Sequence, residues 1–253
     1  MIKAIIKKTL SERQRVKLRA FLAKSDLNQL AQLYGTDKFG SHFYTPHYQR
    51  HFQDLKNKPV TLLEIGIGGW TDGAGYSDKT RGGSSLRMWK TYFPKGKIYG
   101  LDIEDKSYHD EPRIKTFQGS QADENFLKKV IAETGAPDII IDDGSHYTHH
   151  VIKSFEVLFP LLKTGGIYVV EDLQTSYWHS TKDEDWNGSE DLSAPHTSMN
   201  FFKKLVDGLN YEEFRHEYEP NYFDRNITGI HFYHNLMFIE KGANNEGSNL
   251  VKR

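Results

Sequence analysis

The sequence predicts an α/β fold: a doubly wound sheet of seven strands, mostly parallel, closed by a C-terminal antiparallel hairpin. Three observations predict it. Apolar runs of strand length alternate with helix-spaced stretches along a chain of 253 residues. Nearly every such run ends in an acid or in small polar residues, as "PDIIIDDGSHYTHH" (137–150) does. The last two runs, in "ITGIHFYHNLMFIEK", are joined by a tight turn at His234-Asn235. Strands alternating with helices at this spacing make right-handed βαβ units, and the length suits one such core.

The elements follow in order. Residues 1–33 read as helical, and 34–253 as the α/β domain. "YGTDKFGSHFYTPHYQRHF" (34–52) is irregular, aromatic and histidine-rich, with a short helix after Pro46. "VTLLEIG" is the first strand, and a glycine-rich stretch runs from Gly68 to Gly83. "SLRMWKTYF" is helical, "KIYGLDI" is the second strand and "IKTFQG" the third. "ADENFLKKVIAETG" is the next helix and "PDIIIDD" the fourth strand. "HVIKSFEVLFPLLKTGG" reads as a helix capped by Gly165 and Gly166, kinked or shortened by Pro160. "IYVVED" is the fifth strand. A polar loop then runs to about Pro195, followed by the helix "SMNFFKKLVDGLN" and the hairpin. "GANNEGSNLVKR" reads as a frayed tail.

Composition narrows the chemistry. Lys+Arg is 33 and Asp+Glu 34, a balance that gives no push toward nucleic acid. With no cysteine, disulfides, thiolate zinc sites and cysteine nucleophiles are excluded, and any metal must bind through oxygen or imidazole. No apolar run reaches the roughly 20 residues of a membrane span, so a cytoplasmic protein is expected. Charge is uneven: Met1–Ser25 carries eight Lys and Arg against Glu12 alone. A basic amphipathic helix there either packs on the domain with its charged face in water, or meets an anionic membrane or a partner subunit, a second copy included.

In open parallel sheets ligands bind beyond the carboxyl ends of the strands. Those ends carry Glu64-Ile65-Gly66, Asp102, Gln118-Gly119-Ser120, Asp142-Asp143 and Glu171-Asp172, which together suggest one cleft. "EIGIGGW" opens the first βα turn, where small residues let backbone N–H groups approach a ligand. Thr71 stands where a dinucleotide fingerprint needs glycine, so a smaller nucleoside group is expected. Asp102 suits an unphosphorylated ribose. The plainer reading of Gly66 and Gly68 is a tight turn without a ligand.

Strands four and five are neighbours in the usual order, so Asp143, Glu171 and Asp172 would crowd together. Unpaired, such carboxylates repel, and a hard dication (Mg²⁺, Mn²⁺ or Ca²⁺) relieves them. Coordination to a dication lowers the pKa of a bound oxygen acid, and His146, three residues beyond Asp143, can take the proton. The duller readings are helix capping by Asp142 or Asp143, surface ion pairing by Glu171 and Asp172, and a structural His146. A zinc site from His146, His149 and His150 is a sharper rival, weakened because adjacent side chains diverge.

"LLEIGIGG", "GLDI", "IIIDDGSH" and "YVVEDLQTSY" resemble the class I S-adenosylmethionine-dependent methyltransferases, a Rossmann-like group. More narrowly they resemble the metal-dependent sugar O-methyltransferases of the macrocin and mycinamicin type, over roughly residues 34–240. The resemblance implies that Glu64, Gly66, Gly68 and Asp102 hold S-adenosylmethionine, with Ser120 and Gln121 near the adenine. Asp142, at the same edge, is counted with these cofactor residues. It implies Asp143, Glu171 and Asp172 as magnesium ligands and His146 as general base, with Asp143 also serving catalysis. The acceptor expected is a sugar hydroxyl of a glycosylated natural product or glycan. The chain departs from the macrolide enzymes in lacking their long N-terminal domain, which bears on substrate and assembly.

Two loops are candidates to cover the cleft. The glycine-rich stretch with Gly69, Gly73, Gly75, Gly82 and Gly83 suits a lid or an ordinary excursion. "QTSYWHSTKDEDWNGSEDLSAP" brings Tyr177, Trp178 and Trp186, which either stack on a sugar or pin a surface loop. His42, Tyr44 and Tyr48 could reach the same cleft. Three rival functions remain: a catechol-type O-methyltransferase, an NAD-dependent reductase and a scaffold without catalysis. Thr71 weighs against the second, and the costly acidic cluster against the third.

Overall fold

A computed structural model describes residues 11–69, 81–248, 250 and 251. Residues 1–10, Trp70, Thr71, Gly73 and Gly75, with the expectations placed on them, lie outside the described residues. The chain divides into two compact units. One comprises Met1–Val60, Ile67–Ile98 and Lys106–Lys115; the other comprises Thr61–Gly66, Tyr99–Asp105 and Thr116–Arg253.

Among the described residues, the first unit holds four α-helices: α1 (Glu12–Ala23), α2 (Leu27–Tyr34), α3 (Thr45–Phe52) and α4 (Ser84–Tyr92). Within the stretch that reads as helical, α1 and α2 are separate helices, because Asp26 caps α2 by accepting from the Gln29 amide. Gly35 closes α2 in the left-handed conformation. Tyr48, Phe52, Trp89 and Phe93 are fully buried and meet ring to ring, with Tyr48 and Trp89 centroids 5.0 Å apart.

The seven strands are β1 (Thr61–Ile65), β2 (Lys97–Asp102), β3 (Ile114–Gln118), β4 (Ile139–Asp142), β5 (Ile167–Val170), β6 (Ile227–Tyr233) and β7 (Leu236–Lys241). Their order is β3-β2-β1-β4-β5-β7-β6. β1, β4 and β5 pair in parallel, with Ile65 opposite Asp142 and Asp142 opposite Val170. β7 runs antiparallel to both β5 and β6. The predicted mixed sheet and hairpin are therefore present, with Asn235 in the left-handed region at the turn.

In the second unit, α5 (Glu124–Thr134), α6 (Thr148–Leu158), α7 (Ser198–Leu209) and α8 (Tyr222–Asn226) connect the strands. β4 and β5 are buried at every position, as their unbroken apolar runs require. Phe155 on α6 packs against Phe159, Tyr168, Phe202 and Phe223 in a continuous core.

Two expectations are corrected here. α6 ends at Leu158 in a 3₁₀ turn, Phe159–Leu161, not at Gly165 and Gly166. Pro160 lacks the N–H that would continue the helix. The ammonium of buried Lys241 then accommodates the carbonyls of Phe159, Pro160 and Leu162, at 3.1, 2.8 and 2.7 Å. The tail also begins anchored rather than frayed: the Asn244 side chain donates to Leu209 and Asp224 carbonyls, and the Gly247 amide to Glu212. Among the described residues, no helix is long and apolar enough to cross a membrane.

Candidate active site

The polar strand ends of the second unit lie on one edge because β1, β4 and β5 run in parallel. β1 and β4 approach very closely there. Gly66 has φ +82°, and a Cβ on it would lie 1.9 Å from the Asp143 carbonyl oxygen. The Asp143 amide donates to Ile65 at 2.9 Å and the Gly66 amide to Leu101 at 2.8 Å. Glycine at 66 is thus required by backbone contact.

Beyond this junction the chain turns sharply twice. His146 (φ +58°) and Asp172 (φ +55°) both occupy the left-handed region, which costs a non-glycine residue roughly 1–2 kcal/mol. The two turns are tied together, because Thr175 Oγ1 donates to the His146 carbonyl at 2.8 Å. The result is a trio. His146 Nε2 lies 3.6 Å from Asp172 Oδ2 and 4.0 Å from Asp143 Oδ1. Donor atoms of Asp143, His146 and Asp172 all fall within 4.8 Å of one another, and each side chain is about one-fifth exposed. Such spacing suits donors around one dication, whose oxygen contacts run about 2.0–2.6 Å.

Glu171 does not share that mutual range, although it neighbours Asp172 in sequence. Its amide donates to the Asp142 carbonyl, extending the β4–β5 ladder, and its side chain is buried. His149 and His150 do not join His146 either. His150 Nδ1 pairs with Ser145 Oγ at 2.8 Å, and burial, with His149 adding to it, pushes the His150 pKa down. A three-histidine site is therefore absent among the described residues.

Asp142 requires a correction. It was expected among the cofactor residues, with helix capping as the plainer alternative, and it does not cap α6. Its carboxylate is buried and accepts from Gln121 Nε2 at 3.1 Å, from Ser154 Oγ and from the Gly144 amide. Burial raises its pKa to about 6 against the pull of those hydrogen bonds. Tyr147 takes the N-cap position of α6 without a side-chain cap. Gln121 Oε1 in turn accepts from the Ser145 amide at 2.7 Å, so Gln121 ties Asp142 to the Gly144-Ser145-His146 turn. Tyr168 OH also donates to Asp142 Oδ2, at 3.4 Å; the sequence held no signal for Ser154 or Tyr168 in this network, since both look like ordinary core-face positions.

The remaining expected cofactor residues lie as follows. Glu64 is fully buried in β1, opposite Ile141. Asp102 ends β2, half-buried, and its Oδ1 accepts from the Glu104 amide at 2.9 Å. Ser120 Oγ accepts from the Ala122 amide at 3.2 Å. Gly68 has φ +67° in the first unit.

Of the aromatic loop, Tyr177 and Trp178 are exposed at 39% and 46%. Trp186 meets Trp178 edge-on at 5.5 Å and Tyr147 at 5.4 Å. The Thr148 amide donates to the Trp186 carbonyl, and Gly188 lets the loop close, since a Cβ there would lie 2.4 Å from the Thr175 carbonyl oxygen. The loop is pinned by its aromatics yet still offers two exposed ring faces.

The mixed sheet and its acidic edge are compatible with a class I S-adenosylmethionine-dependent methyltransferase, and the relatives that follow show that the chain belongs to that class. No protein-family model matches it. It is a homologue of the macrocin- and mycinamicin-type sugar O-methyltransferases. Mycinamicin VI 2''-O-methyltransferase of Micromonospora griseorubida is 48% identical over 228 residues, covering 88% of this chain and 54% of the relative. Demethylmacrocin O-methyltransferase of Streptomyces fradiae is 50% identical over 228 residues, covering 89% and 55%. Among solved structures, MycE methyltransferase from the mycinamycin biosynthetic pathway, in complex with Mg, SAH and mycinamycin VI, superposes with a TM-score of 0.81. It is 46% identical and covers 90% of this chain and 57% of that one. The chain thus spans about half the length of the curated relatives it matches.

Proposed function

We propose that the chain catalyses metal-dependent transfer of a methyl group from S-adenosylmethionine to a sugar hydroxyl of a glycosylated natural product. The observation that carries this reading is the convergence of Asp143, His146 and Asp172 at the ends of β4 and β5. The identity to sugar O-methyltransferases supports it over a catechol acceptor.

The residues fit a divalent cation: two carboxylates and an imidazole face one point, and no thiolate competes. Asp143 and Asp172 would hold it, with Glu171 drawn in from behind. A bound Mg²⁺ or Mn²⁺ supplies positive charge that makes an acceptor hydroxyl more acidic. His146 Nε2 accepts the hydroxyl proton, and the Asp172 carboxylate, 3.6 Å from that nitrogen, steadies the imidazolium. Asp102 accepts from the ribose hydroxyls, and Gly66 and Gly68 keep the first turn free of side chains so that backbone can approach the cofactor. The chain's main contribution is alignment of oxygen, methyl and sulfur. Trp178 and Tyr177 offer apolar faces to a sugar ring.

The test is methyl transfer from labelled S-adenosylmethionine to a rhamnosyl or deoxysugar glycoside and, in parallel, to a catechol, with and without Mg²⁺. Transfer to the glycoside only, abolished by chelation, is expected. Transfer to the catechol alone, or transfer indifferent to chelator, would sink the reading. For the segment 1–33 we propose contact with an anionic surface, on its excess of cations; liposome binding unchanged on deleting residues 1–25 removes that idea.

A further inference from the structure

Two short stems of the first unit meet back to back: Ile67–Gly69 and Arg81–Gly83. The Gly83 amide donates to the Ile67 carbonyl at 2.8 Å. A Cβ on Gly69 would lie 2.1 Å from the Gly82 nitrogen, and one on Gly82 would lie 2.0 Å from the Gly68 oxygen. Only glycines permit this approach. A third segment then grips both stems. Buried Lys106 donates to the Gly69 carbonyl. On the other stem, Tyr108 OH donates to the Arg81 carbonyl at 3.0 Å, and His109 Nε2 to the same oxygen at 2.9 Å. The Arg81 guanidinium lies over the Tyr108 ring at 4.3 Å. The His109 ring fills the space that a side chain at 83 would need.

The chemistry of His109 matches this duty. A carbonyl only accepts, so Nε2 carries the hydrogen, and Nδ1 is left to accept from Arg87 Nη1 at 3.4 Å. Burial holds its pKa below the usual histidine range. The bond to Arg81 opposes that, and Arg87, Arg81 and Lys106 reinforce it. A neutral imidazole of one fixed tautomer is therefore built into the clamp.

We propose that the turn Lys106–His109 is a clamp that positions the glycine turn Ile67–Gly69 for S-adenosylmethionine, with Tyr108 and His109 as positioning residues. The inference rests on the reading that this turn receives the cofactor. No residue of the clamp touches the reacting atoms; it acts by setting where the backbone amides of the turn lie before the cofactor arrives.

Two measurements test it on the full chain. Amide hydrogen exchange without cofactor reads the clamp itself: His109→Ala should speed exchange at the Gly83 amide at least fivefold while amides of α6 are unchanged. Calorimetry with S-adenosylmethionine reads its consequence. His109→Ala should bind about tenfold more weakly, the net worth of roughly one hydrogen bond, and His109→Gln, which keeps a donor, should recover most of that. Tyr108→Phe, a change at a half-exposed ring, should lose about two- to threefold and guards against a folding failure of the alanine variant. At saturating cofactor the turnover of all three should stay within twofold of the parent, so the defect falls on KM for the donor. A merely structural role would lower thermal stability and leave affinity per folded molecule intact. Affinity within twofold in both His109→Ala and Tyr108→Phe overturns the proposal, as does unchanged exchange at Gly83. If the parent protein binds no S-adenosylmethionine, the methyltransferase reading fails, while the exchange measurement still decides the clamp.

Discussion

Gly66→Ala is the most demanding single-methyl perturbation of the sheet edge. A Cβ at 66 meets only backbone: the Asp143 oxygen at 1.9 Å, its carbonyl carbon at 2.7 Å and Gly144 Cα at 2.9 Å. The first distance is about 1.5 Å inside the 3.4 Å where ordinary contact begins. Neither strand end has a flexible side chain that could give way. Relief requires Gly66 to shift away from Asp143, which disturbs the Asp143–Ile65 bond between β4 and β1 and the Gly66–Leu101 bond between β1 and β2, each worth about 1 kcal/mol net. The left-handed φ adds about 1–2 kcal/mol. A loss of about 3–4 kcal/mol is expected from urea denaturation followed by circular dichroism. Gly35→Ala is the control, because Gly35 shares a positive φ of +72° and has nothing within 4 Å of its Cβ position. It should lose only about 1 kcal/mol. If Gly66→Ala loses no more than this control, close backbone contact does not hold the edge together and the account of the junction is wrong.

Further outcomes follow from other contacts. Asp172→Asn tolerates φ +55° as well as aspartate does, so the fold should persist while Mg²⁺ affinity, read by calorimetry, falls on the order of 10- to 100-fold or more; unchanged affinity removes Asp172 from the site. Lys241→Met leaves three buried carbonyls without their donor and should destabilise by about 2–3 kcal/mol in the same urea assay. Burial, opposed by the Gln49 hydrogen bond and aided by Asp54, raises Tyr92 to about 12 from 10.0. The native state then holds this proton where the unfolded chain releases it, so stability is intact below pH 10 and declines as pH rises toward 12. Tyr92→Phe should flatten that decline in alkaline melting curves.

How much of this was legible beforehand depended on the kind of signal. "TLLEI", "IIID" and "IYVV" are largely apolar because both sheet faces are covered, so their presence and place were readable, although the expected strands ran a residue or two past the observed ends. The helix after "SH" was overextended, since apolar periodicity continues through "FPLLK" while Pro160 ends the hydrogen bonding. The convergence of Asp143 with Asp172 follows from neighbouring parallel strands. Which of Glu171 and His146 would share their range does not, because it turns on two left-handed residues with no glycine to announce them. Asp142 carried the same letter as Asp143 and the opposite environment, decided by Ser154 and Gln121, which are distant in sequence. Nothing in "LMFIEK" announces that the Lys241 ammonium serves carbonyls some eighty residues earlier in the chain.

The strand order has a consequence for biosynthesis. β5 carries Glu171 and Asp172 just past its end, yet one flank of β5 is covered only by β7, and β7 is made about seventy residues later. A ribosome-bound chain that stops short of residue 236 presents β5 as a bare apolar edge, open to pairing with any neighbouring nascent chain. Truncation or premature release before the final hairpin should therefore yield insoluble aggregates, whereas interruption within the hydrogen-bonded segment after Lys241 should not.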